Sequence, residues 1–239
     1  MPDTTAHRTT PGAPGGVCWI DLGVADVPAA VAFYRGLFGW QPAEPDSSGY
    51  RLALIDGHPV AAFGPGEDAG PPYWTVYAHT TDIGATVAAV AAAGGSIVVP
   101  PSPAGAAGTA AVVRDPYGGP LSLWQPGTHA GTHPGGRHGT LAGVELRTDR
   151  IDGTARFLHA ALGWRCRPDG TVTHHGRTVA TWTAHAKPSG PSPWLVTFHV
   201  DDVAAAEARA TELGASIDAA RLLTDPFGAA FALTRAAGR

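Results

Sequence analysis

The sequence predicts an α+β protein built from four βαβββ units, arranged as two tandem domains of two units each. Three observations carry this. The segment Phe33 to Trp40 (FYRGLFGW) returns as Phe157 to Trp164 (FLHAALGW), 124 residues on. Trp74 to His79 (WTVYAH) returns as Trp194 to His199 (WLVTFH), 120 residues on, and Arg114 to Gly119 (RDPYGG) returns as Thr224 to Ala229 (TDPFGA), 110 residues on. Anchors recurring in one order at a near-constant offset mark a duplicated domain.

The elements follow in order. Val17 to Val24 reads as a strand ending at Asp26. A helix follows, with Pro28 near its start, Gly39 closing it, and an apolar face of Val31, Phe33, Tyr34, Leu37 and Phe38. Trp40, Tyr50 to Ile55 and Val60 to Phe63 then read as three short strands. The second unit repeats the order: strand Tyr73 to His79, helix Ile83 to Ala93 stopped by Gly94 and Gly95, and strands near Ile97, Ala111 to Arg114 and Leu121 to Trp124. The Gly/Pro/Thr/His-rich stretch from Gln125 to Gly139 separates the copies. In the second copy the helices fall near Gly153 to Leu162 and Val203 to Leu213, the latter stopped by Gly214. The expected boundaries are a flexible tail 1–16, a first domain 17–126, a linker 127–139, a second domain 140–234 and a tail 235–239.

Bulk properties narrow the function classes. With 239 residues and 44% hydrophobic content, the chain can bury one or two cores. A net charge of -4 argues against nucleic acid or an anionic membrane as partner. No apolar run approaches the roughly 20 residues that span a bilayer, and Met1 to Gly16 lacks an apolar signal region. Cys18 and Cys166 occupy non-equivalent places in the two copies, which favours free thiols in a reducing cytoplasm. A monomer that is internally a pseudo-dimer, or a homodimer, is expected.

A strand ending in Asp, a helix carrying Phe-Tyr-x-x-Leu-Phe-Gly-Trp, and a late Asp-Pro-Tyr-Gly before an apolar strand together resemble the vicinal oxygen chelate (VOC) superfamily. That group includes glyoxalase I, fosfomycin-resistance proteins, extradiol dioxygenases and bleomycin-binding proteins. The resemblance spans Val17 to Thr234 and is nearest to two-domain bacterial proteins labelled glyoxalase-like or hydroxylase. It implies that each domain folds its mixed sheet into a cup whose concave face holds the ligand. It also implies where the family's metal ligands would stand. A first-strand ligand falls at Trp19 or Gly143. A second falls nearest Thr75 or Leu195, and a third at Ser122 or Ala232. The fourth strands, Val60 to Phe63 and Val179 to Trp182, offer no carboxylate. None of the six main positions carries a good donor for a divalent ion, so neither a metal nor another cofactor is expected. His129, His133 and His138 belong to the Gly-rich linker and are expected in solvent; His174 and His175 adjoin a turn and are expected at the surface.

Strand parity then nominates residues for the cups. Asp21 stands two beyond Trp19, and Glu145 two beyond Gly143. Each could bind a polar group or act as general acid or base, burial raising its pKa; the alternative is a structural pairing with Arg51, Arg114, Arg147 or a backbone amide. His79 and His199 are matched across the copies and could shuttle protons with these acids, or could instead bond to a neighbouring loop. Candidate ligand-binding residues are Trp19, Tyr50, Arg51, Trp74, Tyr77, Trp124, Trp182, Trp194 and Phe198, since aromatic rings can stack a planar molecule. Trp40 and Trp164 are assigned to the core, and Asp115 and Asp225 to turns. No nucleophile triad, phosphate loop or dinucleotide motif appears. The expected function is metal-independent binding of a small aromatic or polyketide-like molecule, for sequestration, self-resistance or carriage of an intermediate. The alternative is a metal-free enzyme of secondary metabolism (hydroxylase, oxygenase, cyclase or isomerase); a third reading is a metal-dependent glyoxalase or dioxygenase.

Overall fold

A computed structural model describes residues 15–66, 71–132, 135–185 and 192–236. The first copy contains β1 (Val17–Val24), α1 (Val27–Phe38), β2 (Gln41–Pro42), β3 (Arg51–Ile55), β4 (His58–Pro65), β5 (Trp74–His79), α2 (Ile83–Ala92), β6 (Ser96–Pro103), β7 (Gly108–Arg114) and β8 (Pro120–Pro126). The second contains β9 (Leu141–Thr148), α3 (Ile151–Leu162), β10 (Arg165–Cys166), β11 (Thr171–His174), β12 (Arg177–Ala184), β13 (Trp194–Val200), α4 (Val203–Glu212), β14 (Ser216–Ile217), β15 (Leu223–Thr224) and β16 (Ala230–Arg235). Each copy forms one eight-stranded mixed sheet, in the orders β2-β3-β4-β1-β5-β8-β7-β6 and β10-β11-β12-β9-β13-β16-β15-β14.

Local chemistry sets the helix ends. Asp26, Asp82 and Asp202 each accept a hydrogen bond from the backbone N–H three residues on, capping α1, α2 and α4. Gly39 and Gly163 close α1 and α3 at φ 71° and 69°, a left-handed conformation that costs glycine nothing. β6 runs longer than expected. Its prolines, Pro100, Pro101 and Pro103, lack the N–H an inner strand must donate and are tolerated because β6 is an edge strand.

The copies do not have separate cores. Residues of both sheets and all four helices join one apolar cluster. α1 contributes Ala30, Phe33, Tyr34, Leu37 and Phe38, spaced as one helical face. The Tyr34 ring stands 5.2 Å from Trp74, 5.5 Å from Trp40 and 5.9 Å from Phe231 of the other copy. Trp40 and Trp164 are both fully buried. The two sheets therefore turn equivalent faces inward and leave the opposite faces outermost. The stretch after β8 is stitched to the first copy rather than solvated as expected. Gly127, Thr128 and His129 donate backbone N–H groups to Ala107, Ala106 and Ala107, and Thr132 donates to Cys18. No helix among the described residues is long and apolar enough to cross a membrane.

Candidate functional site

The outer face of the first sheet holds the chemistry. Parity along β1 turns Trp19 and Asp21 outward, while Ile20 and Leu22 enter the core. Register places Asp21 between Ala62 on β4 and Thr75 on β5, and Trp19 beside Tyr77, which in turn faces Ser122 on β8. Trp124, one pleat further along β8, completes the floor. The polar atoms form a chain. Trp19 Nε1 donates to the Tyr50 hydroxyl at 2.9 Å, and Tyr50 donates to Asp21 Oδ2 at 3.0 Å. Tyr77 donates to the same oxygen at 2.7 Å. Trp19, Ala62, Trp124 and Cys18 are buried here as an apolar cluster separate from the main core, with Tyr50, Leu52, Tyr77, Ala107 and Ala110 around it.

Burial dominates the electrostatics. Asp21 is only 8% exposed, and desolvation raises its pKa against the opposing hydrogen bonds of Tyr77, Tyr50 and Thr75. Desolvation, with Asp21 nearby, pushes both Tyr50 and Tyr77 upward, so both phenols stay protonated. The Cys18 thiol is raised to about 12 by burial and is an unreactive wall of the site.

A carboxyl raised on folding is held more tightly as the neutral acid in the native state. Its contribution is complete below the ordinary value of 3.8 and is lost as pH rises through the raised one. Asp21→Asn should remove that part of the pH dependence. Urea midpoints of the variant should fall less than those of the wild type between mildly acidic and neutral pH; parallel curves would contradict the desolvation of Asp21.

Several candidates are not brought together. Trp74, Trp194 and Phe198 face the shared core, one residue out of phase with the outward positions. Trp74 instead donates Nε1 to the Tyr34 hydroxyl at 3.1 Å. Trp182 pairs in register with Leu146 on the inward face and donates to Arg167 O, and Arg51 pairs with Phe63, away from Leu52 and Tyr50. The expected acid–histidine pairs do not meet either. Asp21 adjoins Thr75, and Glu145 adjoins Leu195, each four residues from its histidine, about 13 Å along a strand. His79 Nδ1 accepts the Gly15 N–H at 3.2 Å, while the backbone of His199 bonds to Gly139 and Thr140. His174 is not a free surface residue but packs its ring on Gly15.

One histidine that sequence reasoning set aside does enter the site. His129 turns its ring inward, 4.4 Å from Trp19 at 88° and 5.9 Å from Trp124. Its Nε2 is buried with no hydrogen-bond partner, and desolvation lowers its pKa. His138 bridges the copies through Leu37 O and Asp201 N, and His133 lies outside the described residues. Ser122 is fully buried beside Tyr77, its Oγ without a well-formed hydrogen bond. No sequence signal separated His129 from its neighbours, because the turn of the strap depends on carbonyls of β1 and of the loop before β7.

The second sheet differs in character. Glu145 accepts a short hydrogen bond from Thr183 and lies 3.8 Å from Arg147. Its outward neighbours are Thr181, Leu195 and Thr197, with no aromatic ring among them. Neither face suits a metal of the family type. Trp19, Thr75 and Ser122 occupy the donor positions of the first sheet, and its one carboxylate is already engaged by two phenols. Among the described residues, no three His, Cys, Asp or Glu side chains gather as a metal-binding group.

Residues 16–122 match the family profile of the Glyoxalase/Bleomycin resistance protein/Dioxygenase superfamily, and residues 143–234 match that of the Glyoxalase-like domain. The chain is 35% identical to the anthracycline biosynthesis protein DauV of Streptomyces sp. (strain C5), over 92% of this chain and 93% of that protein. It is 31% identical to the putative glyoxylase CFP32 of Mycobacterium bovis, over 99% of each. Among solved structures, the Mn(II)-bound glyoxalase from Novosphingobium aromaticivorans superposes with a TM-score of 0.65 at 18% identity, covering 93% of this chain and 82% of that one. That likeness shows the fold alone. With both halves matched and relatives above 30% identity along nearly the whole length, the chain belongs to the glyoxalase/bleomycin-resistance/dioxygenase (VOC) superfamily, in a two-domain form.

Proposed function

We propose that the chain binds a small, planar, polyketide-like aromatic molecule in the cup of its first sheet, without a metal ion, in the cytoplasm. The observation that carries this is the outward aromatic cluster of Trp19, Tyr50, Tyr77 and Trp124 around a buried carboxylate, on the sheet face where the resemblance puts the family's metal ligands. Half-buried Tyr50 and Tyr77 offer ring surface to a ligand, whereas the aromatic candidates of the second copy face the core. The identity to a relative named for anthracycline biosynthesis supports the ligand class. Sequestration, self-resistance or carriage of a biosynthetic intermediate would each need only such binding.

Chelator-treated protein should bind members of a panel of hydroxylated naphthoquinones and anthraquinones with micromolar or tighter affinity, quenching the fluorescence of Trp19 and Trp124. Trp19→Ala should weaken this about tenfold. No quenching and no heat of binding across the panel would end this reading.

A second reading is favoured by the burial of Asp21 between Tyr50 and Tyr77 on the aromatic face, which also raises its pKa. A buried carboxyl that protonates readily can pass a proton to or from an enol or ketone. Turnover of a panel compound by chelator-treated protein, lost in Asp21→Asn, would establish it; undiminished turnover in that variant would remove Asp21 from the chemistry.

A further inference from the structure

Resting on the first cup as the ligand site, we propose that His129 is its specificity-determining residue, and that the ligand presents a free phenolic or enolic hydroxyl to Nε2.

The backbone of His129 is fixed from both sides. His129 N donates to Ala107 O at 3.1 Å, and His129 O accepts Trp124 Nε1 at 2.9 Å. The strap is held on either flank, by Gly127 and Thr128 on the loop before β7, and by Thr132, whose N–H reaches Cys18 O at 2.7 Å and whose hydroxyl reaches Val60 O. The backbone that carries the imidazole is therefore anchored, and the ring itself is held by packing. It is wedged between two indoles, steeply inclined to both, with Nε2 buried and unmatched. A buried polar atom left in this state is costly, and such atoms in native proteins call for a partner.

The chemistry of the neighbours says which partner. Desolvation disfavours the charged ring, and a neutral imidazole with its proton on Nδ1 offers Nε2 as an acceptor. The other strong acceptor of the cup, Asp21, is already engaged by Tyr50, Tyr77 and Thr75. A hydroxyl carried into the cup on an aromatic ring thus finds its free acceptor at His129, between Trp19 and Trp124. O-methylation would remove the donor and add bulk at the same point.

The test compares 2-hydroxyanthraquinone with 2-methoxyanthraquinone by calorimetry, at mildly acidic pH where the phenol stays protonated. Wild-type protein should prefer the phenol by about tenfold. His129→Phe, which keeps a ring in the wedge, should abolish the preference without weakening the ether. His129→Gln, which restores an acceptor, should recover part of it. Equal affinity of both compounds for the wild type, or a preference that survives in His129→Phe, overturns the assignment of His129 while leaving the ligand site standing. Binding of neither compound, or of any other panel member, overturns the assignment together with the ligand class.

Discussion

Asp225→Ala should destabilise the protein by about 3–5 kcal/mol, against about 1–2 kcal/mol for Asp115→Ala, the equivalent change in the first copy. Both aspartates open an Asp-Pro-x-Gly turn and accept backbone N–H groups two and four residues on. Only Asp225 is 4% exposed and also takes a buried side chain, the Tyr34 hydroxyl from the other copy, at 2.8 Å. Tyr34 in turn accepts Trp74 Nε1. Removing the carboxylate strands three donors in the shared core at once, each at roughly 1–3 kcal/mol before relaxation. Position 158, which corresponds to Tyr34, is Leu158, so the Asp115 turn has no such clamp. Denaturant midpoints of the two variants measure the difference; losses within 1 kcal/mol of each other would mean that the Tyr34 clamp contributes nothing to joining the copies.

The second large effect is expected at Gly131. Its φ is 121°, and a Cβ there would lie 2.3 Å from Cys18 O, a backbone atom of β1 that cannot yield. Gly131→Ala should cost about 2–4 kcal/mol if the strap stays seated. The cheaper response is local: residues 127–132 lift from the sheet, uncovering Trp19 and freeing His129. Ligand affinity should then fall tenfold or more, tryptophan emission should shift to the red, and amide exchange should quicken at Thr132 while the inner strands stay protected. Gly136 provides the control, because its φ is 107° yet a Cβ meets nothing within 4 Å. Gly136→Ala should cost only about 1 kcal/mol and leave binding intact. Equal behaviour of the two variants would show that the strap does not shape the cup.

The fold was legible because its signals are local. Helix caps at Asp26, Asp82 and Asp202, glycines at the helix ends, and alternation along β5 depend on neighbours within a few residues. Repetition supplied the rest, since one unit read well could be checked against its copy. The site was legible in part. Parity alone turns Trp19 and Asp21 to one face, and Tyr77 with them. The same parity turns Trp74 inward, so it and Tyr77 lie on opposite faces of the sheet. Arg51, in register with Phe63, lies out of phase with Tyr50 and Leu52 in the same way.

What the sequence by itself determined was the architecture, because it depends on residue type at fixed local spacing. What only the tertiary structure decided was which groups meet. Strand register set Asp21 beside Thr75 and about 13 Å from His79. The inward faces of two sheets made one core of the two copies and gave Asp225 its Tyr34. A strap that reads as loose linker carried His129 into the first cup, because its backbone found carbonyls at Ala106, Ala107 and Cys18. Such meetings are fixed by hydrogen bonds between segments far apart in the chain, and no local pattern of side chains encodes them.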